Sequence, residues 1–381
     1  FKEYKENFDI GIKELETLVK VFFDKDGFPS SRNPNDLIFF TKYFLFCKEI
    51  IKDSQKYVPE FLEDIVEKNL NCIHFIKTPD DQLPLFNGAT SVKLNQIEKY
   101  LDDFKPNIKS NNLGGLFKIE HKNHFLLMDI DKPPKKKFSK TYQSGPLSFE
   151  YFLDGIKIIT NSGFGCHISK KAELLSRLTA CQSTLTVNDT SITKFEKNEL
   201  IIKVFGNSIQ DSFKFFDIDL KDKGHLIGCS ASNNGYENKF GCTHKMEVYL
   251  DKENNYLKGT DHIFKSKDGY PIRYAFRFHK NPKLNVVKTM SGNSALIQIS
   301  RNKSVLFSVK ENESILRATD LEVSLKVKLP TSVERIGEVT VPVHSVLGVI
   351  NEYSEDTRLT FEVLENKIIT VSYTHLRAHE T

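Results

Sequence analysis

The feature that most restricts the fold is a change of hydrophobic period near residue 115. Before it, apolar residues recur at helical spacing. In VPEFLEDIVEKNLNCI they fall at Val58, Phe61, Leu62, Ile65, Val66, Leu70 and Ile73, one face of a helix that opens near Pro59. NDLIFFTKYFLFCKEII (35–51) is apolar almost all round, as in a helix packed on several sides. A shorter amphipathic helix is expected over residues 90–104. After the change, apolar residues alternate with polar ones at Met246, Val248 and Leu250, at Ile272, Tyr274, Phe276 and Phe278, and at Val305, Phe307 and Val309. Many short alternating strands predict an antiparallel sandwich. The chain therefore reads as helices first and sheet second.

One stretch shows the second regime clearly. In TYQSGPLSFEYFLDGIKIITNSG, two short strands flank Asp154-Gly155, a pair that tolerates the positive φ of a hairpin turn. Gln143 and Asn161 stand just outside those strands.

Bulk properties exclude several classes. The 381 residues suffice for two or three domains, and 39% hydrophobic with 27% charged residues describes a globular chain. The 54 basic and 50 acidic residues nearly cancel, so charge alone gives no case for nucleic acid. No apolar run approaches the roughly 20 residues that span a bilayer. The six cysteines form no CxxC and no zinc-type cluster with histidine. The chain opens on Phe1 inside a helical pattern, which reads as a fragment without a signal peptide.

Several stretches in order, SGPLSFEYFLDGIKIITNSG, RLTACQSTLTVNDTS, NNGYENKFGCTHKMEVYL and YPIRYAFRFHKNP, resemble the heparinase II/III family of polysaccharide lyases. DGFPSSRNP and DDQLPLFNG match as well, so the resemblance covers residues 10–315. It implies the end of an α/α-toroid followed by a multi-layered β-sandwich. It also implies β-elimination on acidic, uronate-containing polysaccharide. A base takes the proton beside the carboxylate, neutral or cationic donors stabilise the carbanion, and an acid protonates the leaving oxygen. Tyrosine and histidine usually carry those protons, and some members hold a structural zinc through two histidines and an aspartate.

This chain departs from that pattern. Gln143, Asn161 and Gln182 stand at the three zinc-ligand positions, Asn233 where relatives often have His, and Pro29 in place of another His. Gly115-Leu116 replaces a Gly-Tyr. Carboxamides are poor zinc ligands, so no metal is expected, and a mutual amide network is the expected replacement. The remaining candidates are Tyr236 as acid or base, Arg177 as a carboxylate clamp and Asn233 beside them. Arg32, Asn188 and Asp189 are the candidate sugar contacts, and His244 also remains. Each has a plainer reading: a bonded sandwich tyrosine, a structural ion pair, a surface arginine, a surface histidine. DKPPKKK (131–137) reads as an anion-attracting stretch or a solvated connection.

Near the end, ATDLEVSLKVKLP, GEVTVPVHSVLGVI and RLTFEVLENKIIT resemble part of one domain of the bacterial DNA polymerase III β sliding clamp. That implies a small α+β fragment, with a short helix over 342–350. It implies DNA as a partner only in a complete ring. The last residues, VSYTHLRAHET, read as a translated adapter, so His375 and His379 are set aside.

The expected organisation is α+β multidomain. A truncated α/α-toroid region occupies 1–110, a β-sandwich 111–315, a clamp-like fragment 316–372 and an artefactual tail 373–381. A chimeric chain accounts for this better than a natural fusion. Three functions follow: a lyase on acidic polysaccharide, a non-catalytic glycan-binding relative, or a replication-clamp fragment. The first resemblance implies the bacterial cell envelope or periplasm, and the second the cytoplasm.

Overall fold

The computed structural model describes residues 2–91, 94, 97–266 and 273–288, and then 295–298, 304–310, 313–319, 324–329, 332, 334–342, 359–364 and 367–372. The chain divides into two compact units, residues 1–281 and 282–381.

The first unit opens with helices α1 (Lys2–Phe22), α2 (Pro34–Asp53) and α3 (Glu60–Ile76), then the short α4 (Glu98–Asp103). Asn33 caps α2 by accepting from Asn35 N at 2.9 Å, and Pro34 occupies the first turn, where its missing N–H costs nothing. The expected 90–104 helix begins only after Ile97. Leu94 and Ile97 are buried in the helical core, and Ile97 has a non-helical φ of −123°. Among the described residues no helix is long and apolar enough to cross a membrane.

Strands β1 (Asn112–Leu113), β2 (Leu116–His121), β3 (His124–Asp129), β4 (Phe149–Leu153) and β5 (Ile156–Thr160) follow. They form an antiparallel sheet in sequence order. The hairpin turn predicted at Asp154-Gly155 joins β4 to β5, with φ of 52° and 75°. After α5 (Lys170–Ser176) come β6 (Leu185–Val187), α6 (Glu199–Phe205), β7 (Phe215–Lys223) and β8 (Leu226–Tyr236). Then follow α7 (Glu237–Phe240), β9 (Cys242–Asp251), β10 (Tyr256–Lys265), β11 (Tyr274–Phe276) and β12 (His279–Lys280). Strands β10-β9-β8-β7 make a second antiparallel sheet, β11 pairs with β6, and β12 extends the first sheet beside β5.

The layers explain the burial. Leu37, Phe44, Leu62, Ile65 and Ile73 from the helices share one core with Leu116, Phe125, Leu127 and Phe152 of the first sheet. That sheet's other face, with Phe117, Ile119, Leu126 and Met128, packs on Ile227, Cys229, Ala231, Met246, Val248 and Leu250 of the second. β3 is thus covered on both faces, and all its residues are buried. β9 alternates buried and half-buried along its whole length, as its sequence predicts. The segment read as alternating at Ile272, Tyr274, Phe276 and Phe278 is different, and its Ile272 lies outside the described residues. β11 has only three residues, and Phe276 and Phe278 are exposed by 42% and 58%.

The second unit holds β13 (Asn285–Lys288), β14 (Ala295–Gln298), β15 (Ser304–Lys310), β16 (Glu313–Thr319), β17 (Ser324–Leu329) and β18 (Gly337–Pro342). It closes with β19 (Leu359–Leu364) and β20 (Lys367–Ser372). β17-β16-β15-β18 form one antiparallel sheet, and β13–β14 and β19–β20 form two-stranded antiparallel sheets. The junction expected at 315/316 falls inside β16, which pairs with β15 and β17 across that point. The helix expected over 342–350 and the tail 373–381 lie outside the described residues, apart from Pro342 at the end of β18.

Candidate functional site

The helical layer meets the first sheet at a seam built from the 23–33 loop, the 84–91 loop and the 129–148 connection. Arg32 sits there with a φ of 59°. Its Nη2 meets Asp129 Oδ1 at 3.0 Å, with the two side chains 8% and 1% exposed. The same guanidinium donates to the carbonyls of Gly114, Gly115, Asp131 and Lys132 at 3.0–3.4 Å. Burial works against the Arg32 charge, but the facing Asp129 and Asp131 more than offset it, so its pKa lies above the ordinary value. Arg32 is a pin between layers, and no nitrogen of it is left for a sugar. Asp129, also bonded by Asn87 Nδ2 at 3.3 Å, is the partner that sequence reasoning missed.

Gln143 continues the seam. Its Oε1 accepts from Gly88 N at 3.0 Å, and its Nε2 donates to Gly163 O and Ser176 O, both at 2.9 Å. Gln182 Nε2 reaches the same Ser176 carbonyl at 2.8 Å. Asn161 Oδ1 accepts from Ser183 N at 2.9 Å, and its Nδ2 is buried without a partner. The three amides are therefore gathered, but they do not bond one another as a mutual network requires. Main-chain carbonyls and N–H groups lie nearer to hand and take the bonds. The donor set does not fit zinc: two of the three side chains direct N–H groups inward, and none is an imidazole, thiolate or carboxylate. Among the described residues no group of three or more His, Cys, Asp and Glu is placed to hold a metal.

The expected proton carriers are turned inward. Tyr236 is 2% exposed, its hydroxyl donates to Thr190 O at 2.9 Å, and burial pushes its pKa up. Arg177 is fully buried. It donates to Tyr142 O and Ser139 O at 2.9 Å and to Asn207 O, with its guanidinium 4.3 Å from the centre of the Phe195 ring. Burial pulls its pKa down to about 10. Asn233 is 1% exposed, with Nδ2 unpartnered. It stands opposite His244 in the β8–β9 register, and His244 Nε2 lies 2.7 Å from Asp261 Oδ1. Arg32, Arg177, Asn233 and Tyr236 thus belong to the interior and line no shared groove.

Asn188 and Asp189 form a tight turn with φ of 48° and 52°. Asn188 Oδ1 accepts from Arg273 N at 2.8 Å, and Asp189 pairs with Arg273 at 2.8 Å and Arg277 at 3.1 Å. Within 131–137, Lys136 pairs with Glu196 at 2.9 Å.

What the seam presents at its rim is polar and mostly uncharged. Half-buried Thr141 stands there, with buried Asn33 Nδ2 behind it at 3.3 Å from its Oγ1, and half-buried Asn35 Nδ2 meets Thr90 Oγ1 at 2.9 Å. Asp36, half-buried on the first turn of α2, accepts from Ser31 Oγ at 2.6 Å. Burial pushes its pKa up, against the pull of the Ser31 hydrogen bond and the Lys140 charge. Hydroxyls and amides at this spacing suit sugar hydroxyls, and a carboxyl of raised pKa near a cation suits proton transfer. Asp36 gave no signal in the sequence beyond its place after an N-cap.

A helical layer on one face of an antiparallel sheet, with a second sheet on the other, defines the class of protein. The profile of the family "Heparinase II/III-like, C-terminal" matches residues 105–359, and the chain belongs to that family. The match takes in most of the segment read as clamp-like, and neither it nor the structures below support a clamp. The fold is similar to a heparan sulfate lyase HepC mutant from Pedobacter heparinus, with a TM-score of 0.59 and 16% identity, over 95% of this chain and 61% of that one. Heparinase III gives a TM-score of 0.55 at 14% identity, over 98% of this chain and 64% of that one. A heparinase III gene product with methylated lysines gives 0.60 at 14%, over 96% and 60%. Such identities speak for the fold alone, and the chain spans between 60% and 64% of the length of these structures. No curated protein sequence matches.

Proposed function

We propose that the chain engages an acidic, uronate-containing polysaccharide at the seam, and that its reaction class is β-elimination. The observation that carries this is the family match over residues 105–359, joined to a fold shared with heparan sulfate lyases. In this reading the helical layer is part of an α/α-toroid, and the protein works in the bacterial cell envelope or periplasm. Asn35, Thr90 and Thr141 meet sugar hydroxyls. Asp36 is the ionisable group at the rim, with Lys140 supplying positive charge beside it.

One observation favours a second reading, glycan binding without cleavage. Tyr236, Arg177 and Asn233 are each at most 2% exposed. Incubation with heparan sulfate and with alginate separates the readings. Unsaturated, ultraviolet-absorbing products are expected from a lyase. Binding without such products selects the second reading, and neither binding nor products overturns both.

A further inference from the structure

Strands β8 and β9 stay in register as far as Asn233↔His244, then slip before Tyr236↔Cys242. The slip is a bulge at Asn234 and Gly235, and bulges re-aim side chains. Asn234 lines a concavity of about 290 Å³ there, with its Oδ1 accepting from Lys214 N at 2.8 Å. Ligand pockets start near ~300 Å³, so this one suits a single sugar ring. Gly235 permits the close approach, since a Cβ on it would lie 2.1 Å from Ile192 Cδ1.

One wall is fixed in advance. Lys239 Nζ donates to Ser191 O at 2.9 Å and Ile192 O at 2.8 Å, which leaves its third N–H. Asp211 Oδ1 accepts from Lys194 N at 2.6 Å, which leaves its second oxygen. Two other lining groups are uncommitted. Among the described residues the side chains of Lys214 and Asn238 make no hydrogen bond or ion pair. Phe213, 5% exposed, gives the lining its apolar part.

We propose that this pocket is a subsite for one carboxylate- or sulfate-bearing sugar residue, outside the seam. The proposal rests on the acidic-polysaccharide reading and extends it to a second place on the molecule. The sugar's acid group pairs with Lys214 and the free N–H of Lys239, as charge-assisted bonds. Its hydroxyls meet the Asn234 and Asn238 amides and the free Asp211 oxygen, and the apolar face of the ring lies toward Phe213. Asp211 repels an anion, so the acid group lies toward the two ammonium groups and away from the Asp211 oxygen. Two ammonium groups against one carboxylate leave the pocket net positive.

The test titrates a uronate-containing disaccharide into the whole chain, with a neutral disaccharide of the same size as comparison. The uronate form is expected to bind at least about ten-fold tighter. Lys214→Gln and Asn238→Ala are each expected to weaken it about five- to ten-fold. Lys258→Gln, which removes the same charge from an exposed position on β10, leaves it unchanged. Equal binding of the neutral sugar, no binding of either, or indifference to both pocket variants overturns the subsite. If the chain then still binds heparan sulfate, only the subsite falls. If pocket-dependent binding of the disaccharide persists in a chain that ignores the polymer, the polysaccharide reading falls and the subsite stands.

Discussion

Replacing Asp129 with asparagine is expected to destabilise the first unit without touching any exposed surface. The Arg32–Asp129 contact is 3.0 Å long, with side chains 8% and 1% exposed. Removing one partner of a buried pair strands the other charge, at a cost of about 3–5 kcal/mol. Asparagine keeps one acceptor for Arg32, so the lower end, about 3 kcal/mol, is expected. That is a large part of the ~5–15 kcal/mol of a typical domain. In a unit of this size each kcal/mol moves the melting point by about 2–4 °C, so Asp129→Asn should melt roughly 6–12 °C below the parent. Calorimetry or thermal circular dichroism reads this directly. The paired change Arg32→Met with Asp129→Leu should recover only part of the loss, because the carbonyls of Gly114, Gly115, Asp131 and Lys132 then lose their donor. Melting within about 2 °C of the parent would refute the reasoning. So would an Arg32→Ala chain of normal stability that no longer binds polysaccharide, which would return Arg32 to a ligand-contacting role.

Other expectations concern pH, the buried tyrosine and metal. The hydrogen bond from Lys136 holds Glu196 down to about 2, from an ordinary 4.5. The stability it contributes is present in full above 4.5, declines below that and is gone once pH falls through about 2. Glu196→Gln should flatten acid unfolding over that window. Tyr236→Phe leaves the Thr190 carbonyl without its donor and should cost about 1–2 kcal/mol, seen as a lower melting point. It should leave any product formation within about ten-fold, where loss of a true proton carrier costs about 10²–10⁴. Elemental analysis of the purified chain should find zinc far below one atom per chain, and Gln143→His alone should not change that.

Much of the architecture was legible because it is written in local periodicity. The i, i+3, i+4 pattern of α3 and the two-residue alternation of β9 follow from which faces are buried. Asp154-Gly155 announced its hairpin through the backbone freedom that turn requires. Pairing across long stretches of chain left no such mark. Arg32 and Asp129 are 97 positions apart, and nothing near either residue signals the other. Arg177 read as a carboxylate clamp because a lone arginine in a motif has no visible partner, whereas the fold surrounds it with main-chain carbonyls and Phe195. The three amides were grouped by their motif positions, but the use of the Ser176 carbonyl by two of them depends on a tertiary approach. The exposure of Phe276 and Phe278 also departs from the pattern, since among the described residues β11 pairs with β6 alone.

The most direct measurement is the affinity of the purified chain for heparan sulfate beside a neutral polysaccharide of equal length, at low and at physiological salt. Saturable binding of the acidic polymer is expected, weakening as salt rises, with little binding of the neutral one. Equal affinity for both polymers, or none for either, would contradict the account.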